Sequence, residues 1–431
     1  MRKALEACLN NFCSQTRDIM SDGCTPLRGA NIRSSSRKNR KMDDGRQFKF
    51  TQKVASSGFS KALSERVDDY FLKRQISRHA NLEMIFKTIF GFSLWVGTYV
   101  WLMAGRFSPI EVVGMYVLHG FAQLFMAFNI AHDANHRAYS KNQNINRALG
   151  CVFDLVGVSS YMWRLLHNDS HHSFVNIRGA DTTLISGHIF RFTPHDKRRS
   201  FHRYQHLYAP FLYCLSTLDW ILTKDYRWLF SEQKFGNRKI IQHPRNELIL
   251  LFATKAFYYT YMIVIPLLYL RAPWYSILAG FVVMHFFLGF IIALIFQPNH
   301  FNEDSTYPEA DEEGHISNNY IQHIFDTTVD YARGSPFAIW ILGGLNLHII
   351  HHMFPGICHV HYATLTRLVK ATAEEYGFAY REVKTITGAF LAHLRWMKIL
   401  GNTDVDYSAA MRASMARSQS QSARRDNGAE I

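Results

Sequence analysis

The stretch VVGMYVLHGFAQLFMAFNIAHDANH, residues 112–136, runs from Val112 to Ile130 without a charged side chain and then presents two histidines four residues apart. An uncharged run of that length matches the ~20 residues a helix needs to cross a bilayer. On a continuing helix His132 and His136 share one face, because residues three or four apart are neighbours on the helix surface. The stretch therefore reads as a membrane span that ends in a ligand pair.

The same arrangement recurs. Thr88 to Ala104 and Ala272 to Asn299 also lack charge, and Leu248 to Leu270 is interrupted only by Lys255. Two further histidine clusters accompany these runs: His167, His171 and His172 in HNDSHH, and His348, His351 and His352 in HIIHH. A ninth candidate, His300 in FQPNHF, lies just past an apolar run. Imidazole suits iron, zinc, copper and nickel, and a structural zinc takes only about four ligands, usually including cysteine. Eight clustered histidines exceed one such site. Two ions sharing the set is the economical reading, and redox iron is favoured because no Cys pair or Glu-rich helix motif accompanies them.

Topology follows from loop length and charge. Lys73, Arg74, Arg78 and Lys87 precede the first span, which places the N-terminus in the cytoplasm by the positive-inside rule. Short turns at Gly105–Glu111 and Arg271–Pro273 return the chain at once, so every histidine cluster falls on one face. The expected fold is an all-α integral membrane protein, with four transmembrane helices in two hairpins (about 85–104, 110–130, 248–270 and 274–297) and a cytosolic helical cap holding a histidine-rich di-metal site. Both termini are expected in the cytoplasm, with the protein in a bacterial inner membrane or the endoplasmic reticulum. Leu149 to Leu166 and Ala209 to Thr223 are expected to be cap or interface helices rather than spans, since they contain Asp154, Arg164 and Asp219.

The formal charge of +14 is concentrated in the N-terminal region and between the second and third spans. Beside membrane spans it reads as orientation and attraction to anionic lipid, not as binding of nucleic acid. Residues 1–58, with the run RSSSRKNRK at 33–41, and residues 406–431 are expected to be disordered tails around a domain at 59–405. A targeting role for the first tail, or a start at Met42, is compatible with this composition. Leu63 to Phe71 is amphipathic and reads as a surface helix. The six cysteines show no CxxC pairing.

Arg191, Lys197, Arg198, Arg199 and Arg203 form the densest cationic patch outside the tails, suited to lipid headgroups, acyl-CoA phosphates or an acidic electron carrier. Asp133, Asn135, Asn168, Asp169 and Asn346 interleave with the histidines. Orientation of imidazoles and surface solvation both account for them. His119 and His285 lie inside spans and read as helix-packing groups, Lys255 as a side chain that snorkels to the interface, and His195, His202, His206, His359 and His361 have no assigned part.

The order HxxxH, HxxxHH and HxxHH, the last within GGLNLHIIHHMFP (343–355), resembles the membrane fatty acid desaturases. With AHDANHRAYSKN (131–142), RFTPHDKRRSFHRYQHLYAPFLY (191–213) and CHVHY (358–362), it is similar to the delta-6 or front-end type and the bacterial linoleoyl-CoA desaturase-like branch. The resemblance covers roughly Leu63 to Gly401. It implies a di-iron centre that uses O2 and two electrons to place a cis double bond in an acyl-CoA or acyl-lipid. The metal ligands it implies are His132, His136, His167, His171, His172, His300, His348, His351 and His352. Front-end desaturases usually have Gln at the position of His348, and many carry a fused cytochrome b5 domain with an HPGG motif, which this sequence lacks. Electrons are accordingly expected from a separate cytochrome b5 or ferredoxin with its reductase. A membrane di-iron hydroxylase would share this scaffold. A metal transporter would instead place ionisable residues at mid-bilayer.

Overall fold

The computed structural model describes residues 46–52, 58–185, 188–231 and 234–402; the expectations for residues 1–45 and 403–431 lie outside that range. Helix dominates. α1 (Gly58–Arg74) turns Phe59, Leu63, Val67 and Phe71 inward at intervals of four, extending the anticipated amphipathic segment in both directions. Among the described residues four helices are long and apolar enough to cross a membrane: α2 (Leu82–Ala104), α3 (Pro109–Asn135), α6 (Arg245–Tyr269) and α7 (Trp274–His300). Each falls within a few residues of an expected span. α2 starts where the Asn81 side chain accepts the Met84 N–H at 3.0 Å, and α3 starts where Glu111 accepts the Ser108 N–H at 2.8 Å.

The four helices are not equivalent. Over the apolar 18-residue stretch of each, 61% of α3 and 44% of α7 is buried, against 22% of α2 and 28% of α6, so the first pair forms the centre and the second its flanks. Small residues permit the central contact: a Cβ on Gly120 would stand 2.5 Å from Met284, and one on Gly280 would stand 2.5 Å from Tyr116. The flanking helices keep an apolar outer surface, with Leu82, Phe86 and Ile89 on α2 and Ile249 and Leu268 on α6 all exposed. Polar side chains inside the bundle bind one another, as anticipated for the two intramembrane histidines. His119 Nδ1 lies 2.9 Å from Thr98 Oγ1, and His285 meets both Tyr258 OH (3.0 Å) and Thr217 Oγ1 (3.1 Å).

Between α3 and α6 the chain forms α4 (Gln143–Leu155) and α5 (Ser160–His171), bent by 110° across residues 156–159. Gly157 makes the bend, with φ +86° and no room for a Cβ beside Tyr258. Lys255 locks it from α6. Its Nζ lies 2.8 Å from Asp225 Oδ2 and donates to the carbonyl oxygens of Gly157 (2.7 Å) and Ile221 (3.2 Å). Asp225 also accepts the Ser159 N–H at 3.0 Å. The lysine was expected to reach for the interface; instead it is 3% exposed, because a carboxylate and two carbonyls satisfy it in place of water.

A second correction concerns the N-terminal boundary. The expected tail reaches residue 58, yet β1 (Lys49–Phe50) pairs in parallel with β4 (His315–Ile316). Phe48 is buried against Phe174, with ring centroids 5.8 Å apart, and Asn237 holds both its N–H and its carbonyl. Two small further pairs complete the strand content of the described residues: β2 (Lys234–Phe235) with β3 (Arg238–Lys239), antiparallel, and β5 (Asp330–Tyr331) with β6 (Glu382–Val383), parallel. Arg191 also departs from the cationic patch. It is 3% exposed, and its guanidinium donates to the carbonyl oxygens of Asp196, Leu400 and Pro194 at 2.7–2.8 Å, pinning the loop to the final helix.

Candidate metal centre

The nine histidines named from the sequence come together. His132, His136, His167 and His351 form one group, His171, His300, His348 and His352 a second, and His172 joins His351 and His352 between them. Within each group the ligand atoms lie within 4.8 Å of one another. Only the first cluster, HDANH, serves one group whole. HNDSHH sends His167 to one group and His171 to the other, and HIIHH sends His351 one way and His348 and His352 the other.

Local helix geometry explains this division. The backbone is π-helical over Ala127–Ala131 and Leu165–His171, where the His172 N–H donates five residues back to the His167 carbonyl at 2.8 Å. A wider turn changes which side chains share a face, and such bulges concentrate at functional sites. The α-helical spacing used above therefore marks these residues as candidates but cannot apportion them between the groups. The third cluster lies on α8 (His348–Met353), which follows Gly343 and Gly344, both at positive φ. A Cβ on Gly343 would stand 2.6 Å from the Phe128 carbonyl, so glycine lets this loop press onto α3 beside the first cluster. Asp330 Oδ1 then accepts the Ile349 N–H at 2.8 Å and fixes the start of α8.

Whether these residues suit a metal can be read from their nitrogens. His172 Nε2 approaches His351 Nε2 to 2.9 Å and His167 Nε2 to 3.1 Å, and His352 Nε2 approaches His300 Nε2 to 3.3 Å. Two ligands bound at ~2.1 Å to one ion stand roughly 3 Å apart. Both ring nitrogens of His132, and Nε2 of His136 and of His348, are buried without a protein partner. Burial holds His172, His348, His351 and His352 well below the usual histidine range, leaving them neutral, the form that ligates. An all-imidazole set fits a first-row transition ion rather than magnesium or calcium.

The outer nitrogens are anchored. His300 Nδ1 faces the Thr327 carbonyl (3.1 Å) and His348 Nδ1 the Leu345 carbonyl (2.9 Å). A carbonyl only accepts, so Nδ1 carries the proton and Nε2 turns its lone pair inward. His171 is held by Asp181, whose Oδ2 lies 3.1 Å from Nδ1. Burial alone would raise the Asp181 carboxyl, but His171 beside it and hydrogen bonds from Thr183 hold it below the usual carboxylate range. Asp181 escapes a sequence reading: it follows His171 by ten residues across an irregular loop, with no periodic relation to it. Asp181→Ala is expected to lower metal retention and product formation ~10–100-fold, the effect typical of losing a ligand's orienting partner, measured as bound metal per chain and as turnover. Unchanged metal content would remove Asp181 from this role.

Of the five interleaved residues, Asp133 turns its Oδ2 to His359 (2.8 Å from Nδ1), while its Oδ1 lies 3.9 Å from His132 Nδ1. Asn135 donates to the carbonyl oxygens of Ala131 and Gly150, Asn168 to that of Asn135, and Asn346 to that of Tyr331. Asp169 pairs with Arg238 at the surface. Of the unassigned histidines, His359 alone meets the site, through Asp133, and the signal for it was the CHVHY stretch. His202 receives the Arg199 N–H and faces the His188 carbonyl, away from both groups.

Comparison with known sequences gives this geometry a context. The fatty acid desaturase family profile matches residues 107–384. The chain belongs to the fatty acid desaturase family. It is 34% identical over 361 residues to an sn-1 linoleoyl-lipid 6-desaturase of Synechocystis, covering 82% of this chain and 98% of that protein. An sn-1 linoleoyl-lipid 6-desaturase of Arthrospira platensis is 32% identical over 80% of this chain and 92% of its own length. An acyl-lipid (8-3)-desaturase of Physcomitrium patens is 30% identical over 80% of this chain and 72% of its own. As a desaturase the chain is an oxidoreductase, and its four apolar helices make it a membrane protein.

Proposed function

We propose that this chain is an acyl-lipid desaturase of the delta-6 type, which places a cis double bond near the carboxyl end of a lipid-bound acyl chain. The observation that carries the reading is the pair of imidazole groups joined through His172, His351 and His352, in a chain similar to two desaturases named for linoleoyl-lipid. His132, His136, His167 and His351 would hold one iron, and His171, His300, His348 and His352 the other, with His172 between. Bound iron supplies the oxidant that breaks unactivated C–H bonds, which acids and bases cannot do. Two hydrogens leave the acyl chain, and with O2, two electrons and two protons they are accounted for as two waters.

The chain's own groups do the positioning. Asp181 and the Thr327 and Leu345 carbonyls fix the imidazole tautomers, and Trp163, stacked on His167 at 4.2 Å, walls the first group. In this reading α2 with α3 and α6 with α7 form two membrane hairpins. The metal groups then lie at the cytoplasmic surface beneath the polar helices, and an external cytochrome b5 or ferredoxin delivers the electrons.

The deciding measurement is gas chromatography with mass spectrometry of fatty acids from a host expressing the chain and supplied with oleate, linoleate and alpha-linolenate. A new double bond between carbons 6 and 7 is expected. A hydroxylated product would replace this reading with the hydroxylase one.

A further inference from the structure

A cavity of about 410 Å³ opens between the first turns of α2, the helix Pro336–Ile341 and the chain after the third histidine cluster. Its volume lies in the range of small-ligand sites. Lys87, Arg333 and Arg367 line it against one carboxylate, Glu83, with His359 beside Lys87. Arg333 is bound to Glu382, but Lys370 shares that carboxylate, so the local balance stays positive.

Lys87 is the decisive group. It is 1% exposed, and its ammonium donates to the Trp340 carbonyl and to His359 Nε2, both at 2.8 Å. Among the described residues no third oxygen or nitrogen acceptor meets it; the Trp340 ring lies 5.1 Å from its Nζ, so one N–H of a buried cation remains for that ring or for whatever fills the cavity it lines. His359 accepts from Lys87 and so must donate through Nδ1 to Asp133, beside His132. Two side chains thus separate the cavity from the first imidazole group.

The surroundings are apolar. Phe86 (59% exposed) and Phe337 (74% exposed) are the chain neighbours of the lining residues Lys87 and Pro336, and Phe90 and Phe125 pack on Trp340 with centroids 6.1 and 5.4 Å away. A basic pocket at the first turns of a membrane helix, with aromatics nearby, is suited to a lipid headgroup. Its volume suits a glycerol phosphate, and a nucleotide-bearing thioester would need a larger polar bed.

We propose that this cavity holds the phosphate of an anionic glycerophospholipid that carries the acyl chain to be desaturated. The inference rests on the acyl-lipid desaturase reading above. A phosphate seated there would accept from the remaining Lys87 N–H and from the Arg367 guanidinium. It would also tether the carboxyl end of the chain close to the metal groups, where a bond near that end must form.

The test uses the full-length, iron-loaded protein in detergent and native mass spectrometry. Phosphatidylglycerol, monogalactosyldiacylglycerol and linoleoyl-CoA, matched in acyl chain, are offered singly, and phosphatidylglycerol also with excess inorganic phosphate. Phosphatidylglycerol should be retained at least tenfold over the galactolipid and the thioester, and phosphate should not displace it. In the double variant Arg333→Gln, Arg367→Gln that preference should disappear while bound iron and the thermal melt stay as in the parent. In turnover the variant should raise KM for phosphatidylglycerol about tenfold and leave kcat within a factor of two.

Equal retention of the galactolipid, stronger retention of linoleoyl-CoA, displacement by inorganic phosphate, or a preference that survives the double substitution would each overturn the proposal. A desaturated product in cells together with any of these results would sink the headgroup site alone. A phosphatidylglycerol preference without unsaturated product in any cell would leave a lipid site and overturn the desaturase reading.

Discussion

His351→Ala is expected to abolish the unsaturated product and to leave the chain with less than half of the parent's bound metal. His351 belongs both to the group with His132, His136 and His167 and to the junction with His172 and His352, so its loss opens one group and the join together. Losing an orienting partner typically costs ~10–100-fold in metal affinity or activity, and losing a ligand shared in this way should exceed the upper figure. Metal analysis of the purified variant, beside the fatty-acid profile of the expressing host, checks both parts. Full metal content with product intact would show that the imidazole groups are not the reactive centre.

Lys255→Met is expected to destabilise the protein by ~3–5 kcal/mol, the cost of leaving a buried charge without its partner. Asp225 would keep the Ser159 and Trp220 N–H groups but lose its counter-ion, and the Gly157 and Ile221 carbonyls would lose a donor. The effect should reach the metal site, because these contacts hold the 110° bend from which α5 carries His167 and His171. The double variant Lys255→Met, Asp225→Asn removes both charges and should recover most of the stability, since neutralising a buried pair together costs far less than breaking it. Thermal melts of the three proteins in detergent decide this. A single variant as stable as the parent would place Lys255 at the interface after all.

The two substitutions probe features of different legibility. His351 was recognisable because two adjacent histidines preceded by a third at helical spacing are seldom an accident of composition. Lys255 was misread. In an apolar run a lone lysine signals either a snorkelling residue or a buried ion pair, and its partner Asp225 lies thirty residues away in a stretch with no apolar period of its own. Arg191 was misread for the same reason: its acceptors are backbone carbonyls, which leave no mark in a side-chain pattern. The ordered segment around Phe48 was assigned to a tail because one pair of aromatics in a polar context becomes a packing element only when Phe174 is beside it.

What the sequence by itself determined was the set of elements and the set of ligand candidates: four apolar helices, and nine histidines at or between their ends. Both are local properties, one of the transfer of apolar side chains out of water and the other of residue type at helical spacing. What only the tertiary structure decided was the sorting of those histidines into two groups and the anchoring of their outer nitrogens by Asp181, Thr327 and Leu345. Sorting depends on π-helical turns and on the close approach of Gly343 to Phe128, and anchoring depends on carboxylates and carbonyls from distant segments. Those contacts arise from packing between chain segments far apart in sequence, and no spacing rule along one chain contains them.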